Sequence, residues 1–173
     1  MSNVLIGIIG VILFIGLALA GALFLGPRFQ EATSNSKASA TMQAISQTAD
    51  AAVLASLQTG ERMQSSSDGK IGRDLVAAGY LKSAPVNPTF PAWAIDAVSE
   101  NGTYVGDARY MAAGMPISDE TTKVCTAIAR QSGMRLEDDG RPLAQSTPPA
   151  SASGCWHSLG WSGSDMYIVY KRI

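Results

Sequence analysis

The chain has 173 residues, a net charge of −1, 46% hydrophobic and 16% charged residues, two cysteines and one histidine. A near-zero charge argues against nucleic acid as an obligatory partner, because phosphate binding wants a basic patch, and one histidine with two cysteines cannot build a usual zinc set. The charged fraction is low for a free soluble domain, where about 25% is typical.

The N-terminal run Val4 to Leu25, VLIGIIGVILFIGLALAGALFL, is 22 residues without a charge. A helix of about 20 apolar residues crosses the hydrocarbon of a bilayer and satisfies its own backbone. Three readings compete. A cleavable secretory signal fits the N-terminal position and the small-x-small sites Ala18-Leu19-Ala20 and Ala20-Gly21-Ala22. Against it stand the uncharged start Met1-Ser2-Asn3 and an apolar core longer than a signal needs. A plain single-span anchor is the second reading. Arg28 is then the first charge, and orientation is weakly specified. The third reading is a helix that spans the membrane temporarily and then packs against copies of itself in a fibre. Gly7, Gly10, Gly16 and Gly21 suit close approach of helix backbones, although Gly is common in membrane helices in any case. On this reading the packing residues are Met1, Leu5, Gly7, Gly10, Phe14, Gly16, Gly21 and Phe24.

Gly26-Pro27 follows, and proline inside a helix removes a backbone bond, so a kink is expected there. Helix formers continue from Phe29 to Leu57, where Met42, Ile45, Ala49, Ala52, Val53 and Leu57 form one apolar stripe at spacings of three and four. Gly60 is a natural stop. Ser2 to Thr59 therefore reads as one long helix, with an apolar segment over 1–27 and an amphipathic half over 28–59 belonging to a globular part, 28–173.

Beyond a polar loop, 62–72, residues Arg73 to Ala78 suit a short helix ended by Gly79, and Pro85 and Pro88 enforce an extended turn. Trp93 to Val98 alternates like a strand. Asn101-Gly102 is a hairpin signal, with Tyr104-Val105 beginning the returning strand and Arg109 to Met111 extending it. Ser118-Asp119-Glu120 caps a second helix, with Val124, Cys125, Ile128 and Ala129 on its buried face and Gly133 as its stop. Residues 134–154 read as loop, and Met166 to Arg172 as a final strand. The fold class is α+β: a long N-terminal helix packed on a small antiparallel sheet, with a disulfide-bounded C-terminal region.

Two cysteines in an exported domain read as one bridge, Cys125 to Cys155. The alternative is two unrelated buried thiols. The bridge would close a loop of about 30 residues and contribute about 3–4 kcal/mol in the chain-entropy model. His157 beside Cys155 and Trp156 resembles a ligand fragment without the remaining ligands. No nucleophile elbow supports a Ser–His–Asp site, so an enzyme is not expected. Glu137-Asp138-Asp139 lacks the alternating ligands of a calcium loop and reads as a solvated acidic turn. Trp156, Trp161, Tyr167 and Tyr170 read as core aromatics rather than an adhesive patch. No phosphate loop or dinucleotide fingerprint is present, and no cofactor is expected.

An apolar helix running into an amphipathic half, a small sheet on it and a two-cysteine C-terminal region together resemble a type IV pilin, closest to the type IVb group. RDLVAAGYLKSAPVNP is similar to a Gly-Tyr-Leu and proline segment seen in pilins and pseudopilins, and CTAIAR with GCW and YIVYKRI to the disulfide-bounded C-terminal region of the type IVb group. The resemblance covers nearly the whole chain. It implies a subunit, major or minor, of an extracellular pilus (fimbrium) that serves adhesion, motility, DNA uptake, conjugation or secretion. It also implies residence in the bacterial inner membrane before assembly. The implied partners are copies of itself, a prepilin peptidase and the pilus assembly machinery. It implies a basic leader removed by that peptidase and a methylated mature N-terminus; with Met1 as the mature first residue, the missing basic flank is accounted for. One position departs from the pattern: Leu5 stands where pilins usually carry Glu. The rival reading is a single-span membrane-anchored binding or adaptor protein with an extracytoplasmic domain.

Overall fold

The computed structural model describes residues 2–100, 103–104, 106–160 and 164–173, with the backbone alone at 2–6, 23–25 and 27. The chain divides into two compact units, Met1–Thr33 and Ser34–Ile173. Helix α1, Ser2–Thr59, contributes to both, and its helical backbone continues through Gly26 and Pro27.

In the first unit every described side chain from Gly7 to Ala20 is exposed. Among the described residues no helix is long and apolar enough to cross a membrane.

In the second unit α1 buries Ala38, Thr41, Ile45, Thr48, Ala49 and Ala52 almost completely. The two threonines are satisfied there: Thr41 Oγ1 pairs with Thr89 Oγ1 at 2.7 Å, and Thr48 Oγ1 donates to the Ala44 carbonyl at 3.0 Å. The expected stripe is corrected at its C-terminal end, where Val53 is 38% and Leu57 75% exposed. At 3.6 residues per turn these two lie about 80° and 120° round from Ile45, beyond the arc that the core covers.

Helix α2 is Lys70–Ala77, followed by Gly79 at φ +81°. Helix α3 is Asp119–Gln131, with Ser118 and Thr121 forming a reciprocal capping box at its start. Val124, Cys125, Ile128 and Ala129 are buried as its periodicity requires.

Five strands form one sheet among the described residues: β1 (Ile95–Val98), β2 (Tyr110–Met115), β3 (Ala144–Gln145), β4 (Ser153–Ser158) and β5 (Met166–Arg172). Their order is β1-β2-β5-β4-β3. The sheet is mixed rather than antiparallel throughout, because β3 pairs parallel to β4. The strand returning from β1 begins at Tyr110, opposite Val98, and not at Tyr104. The intervening chain is drawn to another loop instead. Ser65 N–H donates to the Gly106 carbonyl and Ala108 N–H to that of Met63, each at 2.8 Å. Asn101, Gly102 and Val105 of the expected hairpin lie outside the described residues.

Residues 134–154 are not all loop, since β3 and the start of β4 fall within them. The sequence SGCWHS carries no alternation, and β4 exists because β5 supplies a partner for each residue, Cys155 opposite Val169 and Trp156 opposite Ile168. The bridge joins Cys125 of α3 to Cys155 of β4, with Cα atoms 5.3 Å apart.

Strand alternation divides the sheet into two faces. Ile95, Ala97, Met111, Met115, Tyr167 and Val169 enter the core shared with α1 and α3. Val98, Tyr110, Ala112, Trp156, Ile168 and Tyr170 form a second buried cluster on the outer face. There Tyr170 meets Trp156 at 4.9 Å and Tyr110 at 5.8 Å between ring centroids, both edge-to-face. The aromatics at 156, 167 and 170 are core residues, and Trp161 lies outside the described residues.

Candidate functional site

The N-terminal run is the first candidate surface. Phe14 and Leu17 are each 74% exposed. A methyl group added at Gly7, Gly10, Gly16, Gly21 or Gly26 would meet no atom within 4 Å. At about 100° per residue Gly7, Gly10, Phe14 and Gly21 fall within one arc of roughly 60°, and Gly16 lies opposite. Four of these expected packing positions therefore share one side of the helix, and Gly16 does not. Met1 is outside the described residues, as are the side chains of Leu5, Phe24 and Pro27.

The second candidate is a groove of about 410 Å³ on the outer face of the sheet. Its floor is low because β2 presents Ala112 and Gly114 there, beside Val98 and Ile168. Trp93 stands over Gly114 so closely that a Cβ on the glycine would lie 2.6 Å from the indole ring. Phe90 packs edge-on against Trp93 at 5.4 Å. The turn carrying both rings is held by fully buried Asn87. Its Oδ1 accepts from Thr89 and Phe90 N–H at 3.1 and 3.2 Å, and its Nδ2 donates to the Gly114 carbonyl at 3.3 Å.

Asp96, the outward-facing polar residue of β1, lines this groove with Asp68 and Tyr104. Its Oδ1 accepts from the Gly69 N–H at 2.7 Å. Burial pushes its carboxyl up to about 6, against that hydrogen bond; Asp68 adds to the shift and Arg73 opposes it. Nothing in the sequence around Asp96 announces a cleft. The strand pattern places it on the outer face, but Asp68 and Tyr104 arrive from segments whose position only the fold sets.

Several charged groups elsewhere are held by hydrogen bonds and ion pairs. Asp107 accepts from Arg62 Nη1 at 3.0 Å and Gln64 Nε2 at 3.1 Å, and these bonds hold its carboxyl below the usual range. In the acidic turn, Glu137 accepts from Ala144 N–H at 2.9 Å and Asp139 from Arg141 N–H at 3.0 Å. Among the described residues no group of three His, Cys, Asp or Glu side chains is placed to hold a metal ion. His157 rests 5.5 Å from the Tyr167 ring.

Comparison with known proteins finds no matching family model, no matching curated protein and no matching solved structure.

Proposed function

We propose that this chain is a structural subunit that polymerises through its N-terminal helix into an extracellular type IV-like pilus. The observation that carries the reading is the exposure of the described part of the apolar run, Gly7 to Ala20, on every side. A helix that is hydrophobic all round is stable only when lipid or protein covers it, and each Å² left in water forgoes about 25 cal/mol. A second observation agrees with it. Among the described residues, the α1 side chains in the core of the globular unit begin at Ala38. The run is left available for membrane before assembly and for copies of itself afterwards.

On this reading a prepilin peptidase and the pilus machinery deliver the subunit from the inner membrane. Transfer from lipid to fibre core is nearly neutral hydrophobically, so close packing of small residues supplies the specificity. Leu5 brings no charge to that core, so no charge pair is needed at that position. A heterologous contact that does not close a ring then generates a helical filament.

The test is negative-stain microscopy of material sheared from producing cells, with N-terminal mass analysis of the same sample. Fibres whose subunit retains Val4 to Leu25 are expected. A chain beginning near Gly21 or Leu23, without fibres, would make it a secreted domain. A retained run found only in membranes would favour the single-span adaptor.

A further inference from the structure

The groove on the outer sheet face joins three kinds of surface that one class of ligand needs together. Its floor is apolar, from Val98, Ala112 and Ile168. Half-exposed aromatic rings, Trp93 and Tyr104, stand at its margin. Two acidic residues, Asp68 and Asp96, line it, and no basic side chain does among the described residues. Arg73 lines a neighbouring cavity, and its Nη1 donates to the Asp68 backbone carbonyl at 2.8 Å. The volume of about 410 Å³ lies within the range of small-molecule sites.

We propose that the groove binds an organic cation, an ammonium or guanidinium group on an apolar body, with the body on Ala112 and Ile168 and the charge at Asp96 and Asp68. A partly desolvated carboxylate favours a cation that replaces its lost water, and aromatic margins add cation–π attraction. A neutral apolar ligand would cover the carboxylates without compensating their charge, and an anion would be repelled. The site stands on the globular unit alone and does not depend on the filament reading. Free amines and basic side chains of a polypeptide share this chemistry.

The test is an amide-shift titration of the full chain in detergent micelles at about pH 7.5, following Gly69 and Gly114. Benzylammonium probes the free amine, N-acetyl-arginine amide the basic side chain, and benzyl alcohol serves as the neutral counterpart. Saturable shifts at both glycines are expected with at least one cation, and at least about tenfold weaker binding for the alcohol. Asp96→Asn, which retains an acceptor for Gly69, should weaken the cation by about tenfold, and Asp68→Asn by less. Acidification to about pH 5 should weaken wild type and leave Asp96→Asn unchanged, with Asp68 and Arg73 the other charges facing that carboxyl. Equal binding of the alcohol, wild-type affinity in Asp96→Asn, or no shift with either cation would overturn the proposal. If Asp96→Asn disturbs the fold, Asp68→Asn and the alcohol comparison decide it.

Discussion

Asp96 places a titrating group at the junction of β1 and α2, through its bond to Gly69. Its carboxyl lies at about 6 in the folded chain against an ordinary 3.8. The folded state therefore favours the proton. The associated stability is complete below about pH 4 and is lost as pH rises through about 6. The shift corresponds to about 3 kcal/mol, and partial solvent exposure reduces this to about 1–2 kcal/mol. Asp96→Asn should raise the melting temperature at pH 7.5 and lose that advantage near pH 3.5. An advantage constant across that interval in calorimetric scans would contradict this origin. Gly114 is the other residue with an exacting environment. Gly114→Ala drives a methyl into the Trp93 ring and should cost about 1–3 kcal/mol, readable as a lowered urea midpoint.

At the scale of the element, α1 shows how far periodicity carries. Its buried arc in the globular unit follows the 3.6-residue repeat from Ala38 to Ala52, and the stripe continues in sequence to Leu57 after the core has ended. Ile45→Ala should cost about 2–4 kcal/mol, whereas Leu57→Ser should stay within about 0.5 kcal/mol. Denaturant unfolding of the pair checks both values. If Leu57→Ser proved as costly as Ile45→Ala, Leu57 would have to be buried in the globular unit. The disulfide acts on a different element. It ties α3 to β4 across a separation of 30 residues, and β4 has few local reasons to be a strand. Cys125→Ser should remove up to about 3–4 kcal/mol and expose residues 134–152 to protease while leaving α1 helical. Unchanged cleavage there would mean that β5 pairing alone holds β4.

At the scale of the whole molecule, the two units make separable demands on the sequence. Gly16 has no neighbour within 4 Å of an added Cβ, so a larger side chain there strains nothing inside the chain. Gly16→Arg should leave the melting of the globular unit unchanged and abolish fibres, because a charge in a packed or lipid-covered helix is costly. Normal fibres from this variant would sink the filament reading. Ion pairs between elements of the globular unit, Lys37 with Glu120 and Lys171 with Asp50, are solvent-exposed. They add little stability, so salt should change its melting only slightly.

The features that the sequence by itself determined are those whose cause is local. The apolar run, the arc of α1 centred on Ile45, the Ser118 cap, the Gly79 and Gly133 stops and the β-rich run of β5 each draw on neighbours within a turn or a pleat. The pairing of Cys125 with Cys155 was also legible, because two cysteines allow only one bridge. Tertiary structure alone decided the rest. Strand β4 has no alternation and exists through β5; the return strand starts at Tyr110 because residues 106–108 bond to the 63–65 loop; and the second aromatic cluster needs strands from both ends of the unit. The groove belongs to the same class. Asp68, Trp93, Asp96 and Tyr104 come from different segments, and their convergence depends on strand pairing and on the two small residues of β2, Ala112 and Gly114. A periodic pattern records which side of an element is apolar, and it carries no record of which distant segment will cover it.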